Sequence, residues 1–173
     1  MNIEVNLNNL TKEEQEQFNA LVKKANKPKN SKVWKPEIGD LYYYIDAVND
    51  TTRITRTSYD SAYGLFNYSI GNCFKTREGA EYALERLKVI TEMKRYIAEH
   101  DDVKLDWENY DQNKWYILYY YDTGNIGTDY YGYTQIVDNS LYASSSEVLE
   151  DMIKEIGEDR IKKYYFGVEW LCI

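Results

Sequence analysis

Apolar residues recur along this chain with two different periods, and the places where the period changes divide it. Phe18, Leu21, Val22 and Ala25 step by three and four after Thr11 and Glu14, a pair with capping-box spacing, which predicts a helix over about 12–25. Before it, Ile3, Val5 and Leu7 alternate as in a short edge strand. After it, NKPKNSKVWKP is polar, broken by Pro28 and Pro36, and reads as a linker. From Leu41 the pattern is aromatic and β-branched: LYYYIDAV, ending at the turn pair Asn49-Asp50, then TRITRTSY, then LFNYSI after Gly64. These predict three short strands in a meander. Thr76 can cap the next helix, whose stripe Ala80, Ala83, Leu84, Leu87, Ile90, Met93 and Ile97 predicts about 77–98.

The second half repeats the alternation. WYILYYY at 115–121 reads as a strand, with Asp122-Thr123-Gly124-Asn125 as the turn and DYYGYTQIV at 129–137 as the partner. Both faces of the first strand are aromatic, Trp115, Ile117, Tyr119 and Tyr121 on one and Tyr116, Leu118 and Tyr120 on the other, which predicts a central position. Ser144 and Glu147 have capping-box spacing ahead of the stripe Val148, Leu149, Met152, Ile153 and Ile156, stopped at Gly157. EDRIKKYYF is a last short helix ending at Gly167.

The expected fold is therefore α+β, antiparallel strands covered by helices on one side. The expected parts are an N-terminal helix and Lys-rich linker over 1–36, a meander plus long helix over 37–105, and a hairpin plus C-terminal helices over 106–173. The last two make one compact domain. The two strand–helix units map onto each other at offsets of 67 to 69 residues, a weak repeat. Periodicity leaves open whether their strands form one sheet or two.

Charge changes the picture more than bulk composition does. The 173 residues carry 21 Lys+Arg against 29 Asp+Glu, a formal charge of −8. The surplus lies after residue 100, where 15 acids meet 6 bases. Lys23, Lys24, Lys27, Lys29, Lys32 and Lys35 instead run without an acid between them. The acidic balance disfavours direct nucleic-acid binding. No stretch approaches the ~20 apolar residues of a membrane span, and MNIEVNLNNL lacks a signal-peptide pattern. A cytoplasmic location is expected.

Candidate chemistry is sparse. One His and two Cys exclude a disulfide scaffold and the common zinc sites. Cys73 and Cys172 have no nearby base, and His100-Asp101-Asp102 reads as a solvated helix end rather than a metal site. No nucleophile elbow, phosphate loop or metalloprotease motif is present. No cofactor, no metal and no enzymatic activity are expected. Tyrosine, 19 of 173 residues, reads as half-buried β-structure, as a recognition face, or as stacking partners for bases. Asp101, Asp102, Asp106, Glu108 and Asp111 surround Trp107. They read as a solvated loop or as a surface imitating nucleic-acid phosphates in the basic groove of a partner. In that second reading Tyr119, Tyr121, Tyr131 and Tyr133 add contact area. Arg53, Arg56, Tyr42 and Tyr44 are the alternative constellation, for the phosphate and base of a nucleotide.

Four strings, VWKPEIGDLYYYI (33–45), GNCFKTREGAEYALERLKVITEMKRYIAEH (71–100), DWEN with KWYILYY (106–120) and IGEDRIKKYYFGVEWL (156–171), resemble a family of small proteins encoded by phages and prophages of Gram-positive bacteria. Gly79 departs from it, since a Glu there would complete a capping box with Thr76. The resemblance implies a phage accessory protein. Its expected role is non-enzymatic: inhibition of a host defence protein or nucleoprotein complex, an anti-CRISPR or similar nuclease inhibitor. Two alternatives stand beside it, a protein that sequesters a signal nucleotide and a virion or assembly component. A homo-oligomer is left open.

Overall fold

The structure, a computed structural model, describes residues 7–25, 33–48, 51–60, 62–132 and 141–168. The chain divides into two compact units, Met1–Lys35 and Pro36–Ile173. In the first, a 3-10 turn at Leu7–Asn9 precedes helix α1, Lys12–Ala25. The capping box forms: the Glu14 carboxylate accepts from the Thr11 amide at 2.8 Å, and Thr11 Oγ1 accepts from the Glu14 amide at 3.3 Å. Gln15 Nε2 donates to the carbonyls of Leu7 and Leu10 and holds the turn against the helix. Leu7 lies in that turn rather than in a strand. Ile3, Val5 and linker residues 26–32 lie outside the described residues.

The second unit is α+β. Its elements are β1 (Leu41–Val48), β2 (Thr51–Ser58), α2 (Tyr63–Ser69), α3 (Arg77–His100), β3 (Lys114–Tyr120), β4 (Asn125–Tyr131), β5 (Tyr142–Ala143), α4 (Ser146–Ile156) and α5 (Glu158–Tyr164). They build two separate antiparallel sheets, β1-β2 and β4-β3-β5, so β3 is central.

The meander is in fact a hairpin followed by a helix, because LFNYSI does not extend a third strand. One Asp60 carboxylate oxygen accepts from the amides of Ala62, Tyr63 and Gly64, satisfying three donors that a first helical turn leaves free. Those bonds hold the Asp60 carboxyl below its usual range. Gly64 is required by close approach, since a Cβ there would stand 2.6 Å from the Tyr59 ring. Asn67 turns inward and its Nδ2 donates to the Tyr42 hydroxyl at 3.0 Å. Side chains one helical turn apart thus reach the hairpin, which a period-2 reading of the same string misses.

Tyr42, Tyr44 and Tyr59 form a small buried aromatic core on that face of the hairpin. The outer edge of β1 is closed by residues 72–74. Asn72 imitates a strand residue, accepting from Ile45 N at 2.8 Å and donating to Ile45 O at 2.9 Å. Phe74 exchanges both backbone bonds with Tyr43.

The Thr76 hydroxyl accepts from the Gly79 amide at 3.1 Å, and α3 then runs 24 residues, about 36 Å. Its stripe is only partly inward. Ala80, Val89 and Met93 are buried, whereas Leu87 is 58% exposed. Leu84 and Leu87 line a groove of about 350 Å³ shared with Ile45, Ala47 and Thr52. Val89 is buried instead because α4 and α5 close over the far half of α3. There it joins Met93, Ile117, Ala143, Leu149, Met152 and Ile161 in the main core.

Polar bonds fasten α5 across α3. Arg160 makes a two-pronged pair with Glu92, one prong at 3.0 Å. Tyr82 Oη donates to the Lys163 carbonyl, and Arg86 to those of Tyr164 and Tyr165, so α3 satisfies carbonyls at the end of α5. The β3–β4 turn is Tyr121–Gly124, with Gly124 at φ +70° and its amide bonded to Tyr120 O. Pairing therefore resumes at Asn125, four residues before the expected start at 129. Residues 133–137 of that expected partner lie outside the described residues.

Three stability measurements check this account. Asn72→Ala leaves both polar groups of Ile45 unpaired and should cost about 1–3 kcal/mol in urea unfolding. The Tyr59 hydroxyl is buried and has no hydrogen-bond partner among the described residues. Tyr59→Phe should therefore be neutral, or stabilising by up to ~1 kcal/mol; a loss of stability would show that the hydroxyl is satisfied. Hydrogen bonding from Arg160 holds the Glu92 carboxyl below its usual range. Its stabilisation is present above the ordinary carboxylate pKa and is lost as pH falls through the lowered one. The advantage of the native protein over Glu92→Gln, below about 1 kcal/mol for so exposed a pair, should vanish at that acid end.

Candidate functional site

The segment 101–113 leaves α3 and folds over the sheet face opposite the main core. Its first residue is a clamp. Asp101 Oδ2 accepts from the Ser144 amide at 2.7 Å, while Oδ1 accepts from the Ser144 hydroxyl at 2.6 Å and from the Val103 amide. Ser144 is thereby removed from the capping role expected of it. Ser145 takes that role, accepting from the Val148 amide at the start of α4. The serine whose hydroxyl faces a carboxylate is held there, and the next one is free to cap.

Beyond the clamp, short-range bonds fix the loop. Asp106 Oδ1 accepts from the Glu108 amide and Asn109 Oδ1 from the Asp111 amide, both at 2.9 Å. Gln112 accepts from the Asp106 amide and donates to Lys104 O. Trp107 stands edge-on to Tyr142, ring centres 5.1 Å apart. Lys114, fully buried, donates from Nζ to Asn109 O and lies 5.9 Å from the Trp107 ring. Tyr116 stacks on Tyr131 at 4.6 Å and 11°, and touches Tyr142. Hydrogen bonding to Tyr131, then burial, holds the Tyr116 phenol well above its usual range. The result is an aromatic and lysine platform roofed by a loop whose Asp102, Asp106, Glu108 and Asp111 are exposed, beside a 66%-exposed Tyr110.

Not every residue singled out in the sequence joins this surface. Asp101 is committed to Ser144. Tyr131 lies at the loop's end of the sheet, opposite Lys114. Tyr119 lies on the other face, against Phe166 and Tyr121. Tyr121, 92% exposed in the turn, stands at the far end of β3, about 20 Å along the strand. Tyr133 lies outside the described residues. His100 stacks on Tyr96 and bonds its carbonyl. Among the described residues, no group of three or more His, Cys, Asp or Glu is placed to hold a metal ion. Burial pushes the Cys73 thiol up to about 11, so it is protonated at neutral pH and a poor nucleophile.

The alternative constellation does not converge. Tyr42 and Tyr44 are buried toward α2, the first bonded to Asn67 and the second edge-on to Tyr63. Arg53 bonds Asp46 at 3.2 Å on that face, and Arg56 lies over the Tyr43 ring on the opposite one. Strand alternation separates what proximity in sequence suggested.

Two features escaped the sequence reading. Leu65, Phe66 and Ile70 are exposed around α2, in a stretch (61–74) with no charged residue; reading 65–70 as a strand hid this. A cleft of about 420 Å³ is lined by Glu78, Glu81, Tyr82, Leu84, Glu85, Lys163 and Tyr164, joining residues some eighty positions apart. No helix among the described residues is long and apolar enough to cross a membrane. No protein-family model, curated protein or solved structure matches the chain.

Asp101→Asn, which cannot accept both Ser144 bonds and the Val103 amide as a carboxylate does, should lower unfolding stability by about 1.5–3 kcal/mol. Asp102→Asn, exposed, should stay within about 0.5 kcal/mol. Equal effects in urea titration would deny the clamp.

Proposed function

We propose that this protein is a non-enzymatic inhibitor made by a phage or prophage. In this reading the acidic loop over 101–111 occupies a basic, nucleic-acid-binding groove of a host defence protein, most specifically a nucleic-acid-guided nuclease complex. The observation that carries it is the loop itself. Asp102, Asp106, Glu108 and Asp111 are exposed on a segment pinned by Asp101–Ser144, Asp106–Glu108, Asn109–Asp111 and Trp107–Tyr142. Such a surface loses little conformational entropy on binding, and its carboxylates can meet Lys and Arg that otherwise hold phosphates. The exposed Tyr110 beside them supplies apolar contact area. The acidic balance after residue 100 supports steering toward a basic partner.

The test is charge reversal at the exposed positions, Asp102→Lys, Glu108→Lys and Asp111→Lys together, with Asp101 left intact. The native tagged protein is expected to retain a nuclease complex from lysate of a defence-carrying host, and to block its cleavage of DNA. The triple variant should keep its thermal transition and lose at least ~tenfold in affinity (about 1.4 kcal/mol). The loss should shrink as salt rises. Undiminished retention by the variant would overturn the site.

A further inference from the structure

The two sheets leave their edges in different states. Tyr59 N bonds Asp40 O across the hairpin, and ladder bonds alternate from there. Tyr43 and Ile45 turn their backbone groups away from β2, toward Phe74 and Asn72. Their register partners Arg56 and Ile54, with Thr52 and Ser58 by the same alternation, turn theirs away from β1. Among the described residues nothing bonds these outward amides and carbonyls. The edge of β4 is treated otherwise: its outward Ile126 amide donates to Glu158. The fold thus bonds Tyr43 and Ile45 on the β1 edge and the Ile126 amide on the β4 edge, whereas the outward groups of eight-residue β2 are unbonded among the described residues.

That open edge is also the basic part of the hairpin. The strand TTRITRTS holds Arg53 and Arg56 and no acid, within a chain of net charge −8. Arg53 is paired with Asp46. Arg56 makes no ion pair among the described residues, and its guanidinium lies over Tyr43 at 5.7 Å. A second copy would bring the same arginines to the ribbon, a repulsive arrangement, whereas an acidic strand brings opposite charge. We infer that β2 is a strand-addition site, which receives an extended, acidic segment of a partner protein as a third strand beside β2. Main-chain bonds to Thr52, Ile54, Arg56 and Ser58 supply affinity, and Arg56 supplies the preference for acid. This surface is separate from the acidic loop and does not depend on it.

The experiment uses the full chain and a synthetic eight-residue peptide of alternating Thr, Val and Glu, with its Glu→Lys counterpart as control. The acidic peptide should slow hydrogen exchange at the amides of Thr52, Ile54, Arg56 and Ser58. Ile54→Pro removes an outward donor without touching the β1 ladder, and should weaken binding at least ~tenfold. Arg56→Glu, which leaves the edge intact, should do the same and favour the Lys peptide; it decides the matter if Ile54→Pro fails to fold. The inference is overturned if millimolar acidic peptide leaves these amides unprotected or if Arg56→Glu binds it as well as the native chain. Protection of the same amides by self-association alone, or by an oligonucleotide in preference to the peptide, would overturn it too.

Discussion

Asp101 ends the long helix α3 and gives both carboxylate oxygens to Ser144, 43 residues further on. Three parts meet at that contact: the helical core through α3, the three-stranded sheet through β5, and the acidic loop that begins at the next residue. A carboxylate that accepts several hydrogen bonds is fixed in its geometry by them. The loop therefore starts from a fixed point and a fixed direction. Everything proposed for the exposed acids depends on this one acid being unavailable to a partner.

The same economy recurs through the molecule. Asp60 accepts from three amides to start α2, Asn72 stands in for a strand residue at Ile45, and Glu158 engages the edge of β4. Arg160 and Arg86 fasten α5 to α3. The chain builds two small sheets and short helices, elements that leave many backbone groups without regular partners. Side-chain amides and carboxylates satisfy many of them. In an acidic protein, then, a carboxylate is not by itself a binding residue. What distinguishes Asp102, Glu108 and Asp111 from Asp60 and Asp101 is that they are exposed and, among the described residues, accept no such bonds.

The tyrosines divide in the same way. Tyr42, Tyr44 and Tyr59 supply a core to a hairpin too small to bury aliphatic residues deeply, and Tyr116, Tyr131 and Tyr142 make the platform under Trp107. Tyr63, Tyr110, Tyr120, Tyr121 and Tyr130 are exposed, Tyr110 and Tyr121 the most so and near opposite ends of the three-stranded sheet. An excess that composition presents as one property is thus three, and only the exposed members bear on recognition.

From the sequence alone, elements with a strong local cause were legible. The capped helices read at about 12–25 and 77–98, the aromatic strands read at 41–48 and 115–121, the central place of β3 and the helices ending at Gly157 and near Gly167 follow from period, caps and turn residues, and the structure shifts their ends by one or two residues. So did the acidic loop as a charged segment, because charge is written residue by residue. Tertiary contacts decided the rest. LFNYSI became a helix because Asp60 and Tyr59 act on it from outside the string. Ser144 lost its cap to a carboxylate distant in sequence. Leu87 stayed exposed because α4 and α5 cover only the far half of α3. Alternation across the hairpin placed Arg56 and Tyr42 on opposite faces. Asp101 and Asp102 look alike in sequence, and the partner that separates clamp from surface, Ser144, is supplied only by the folded chain.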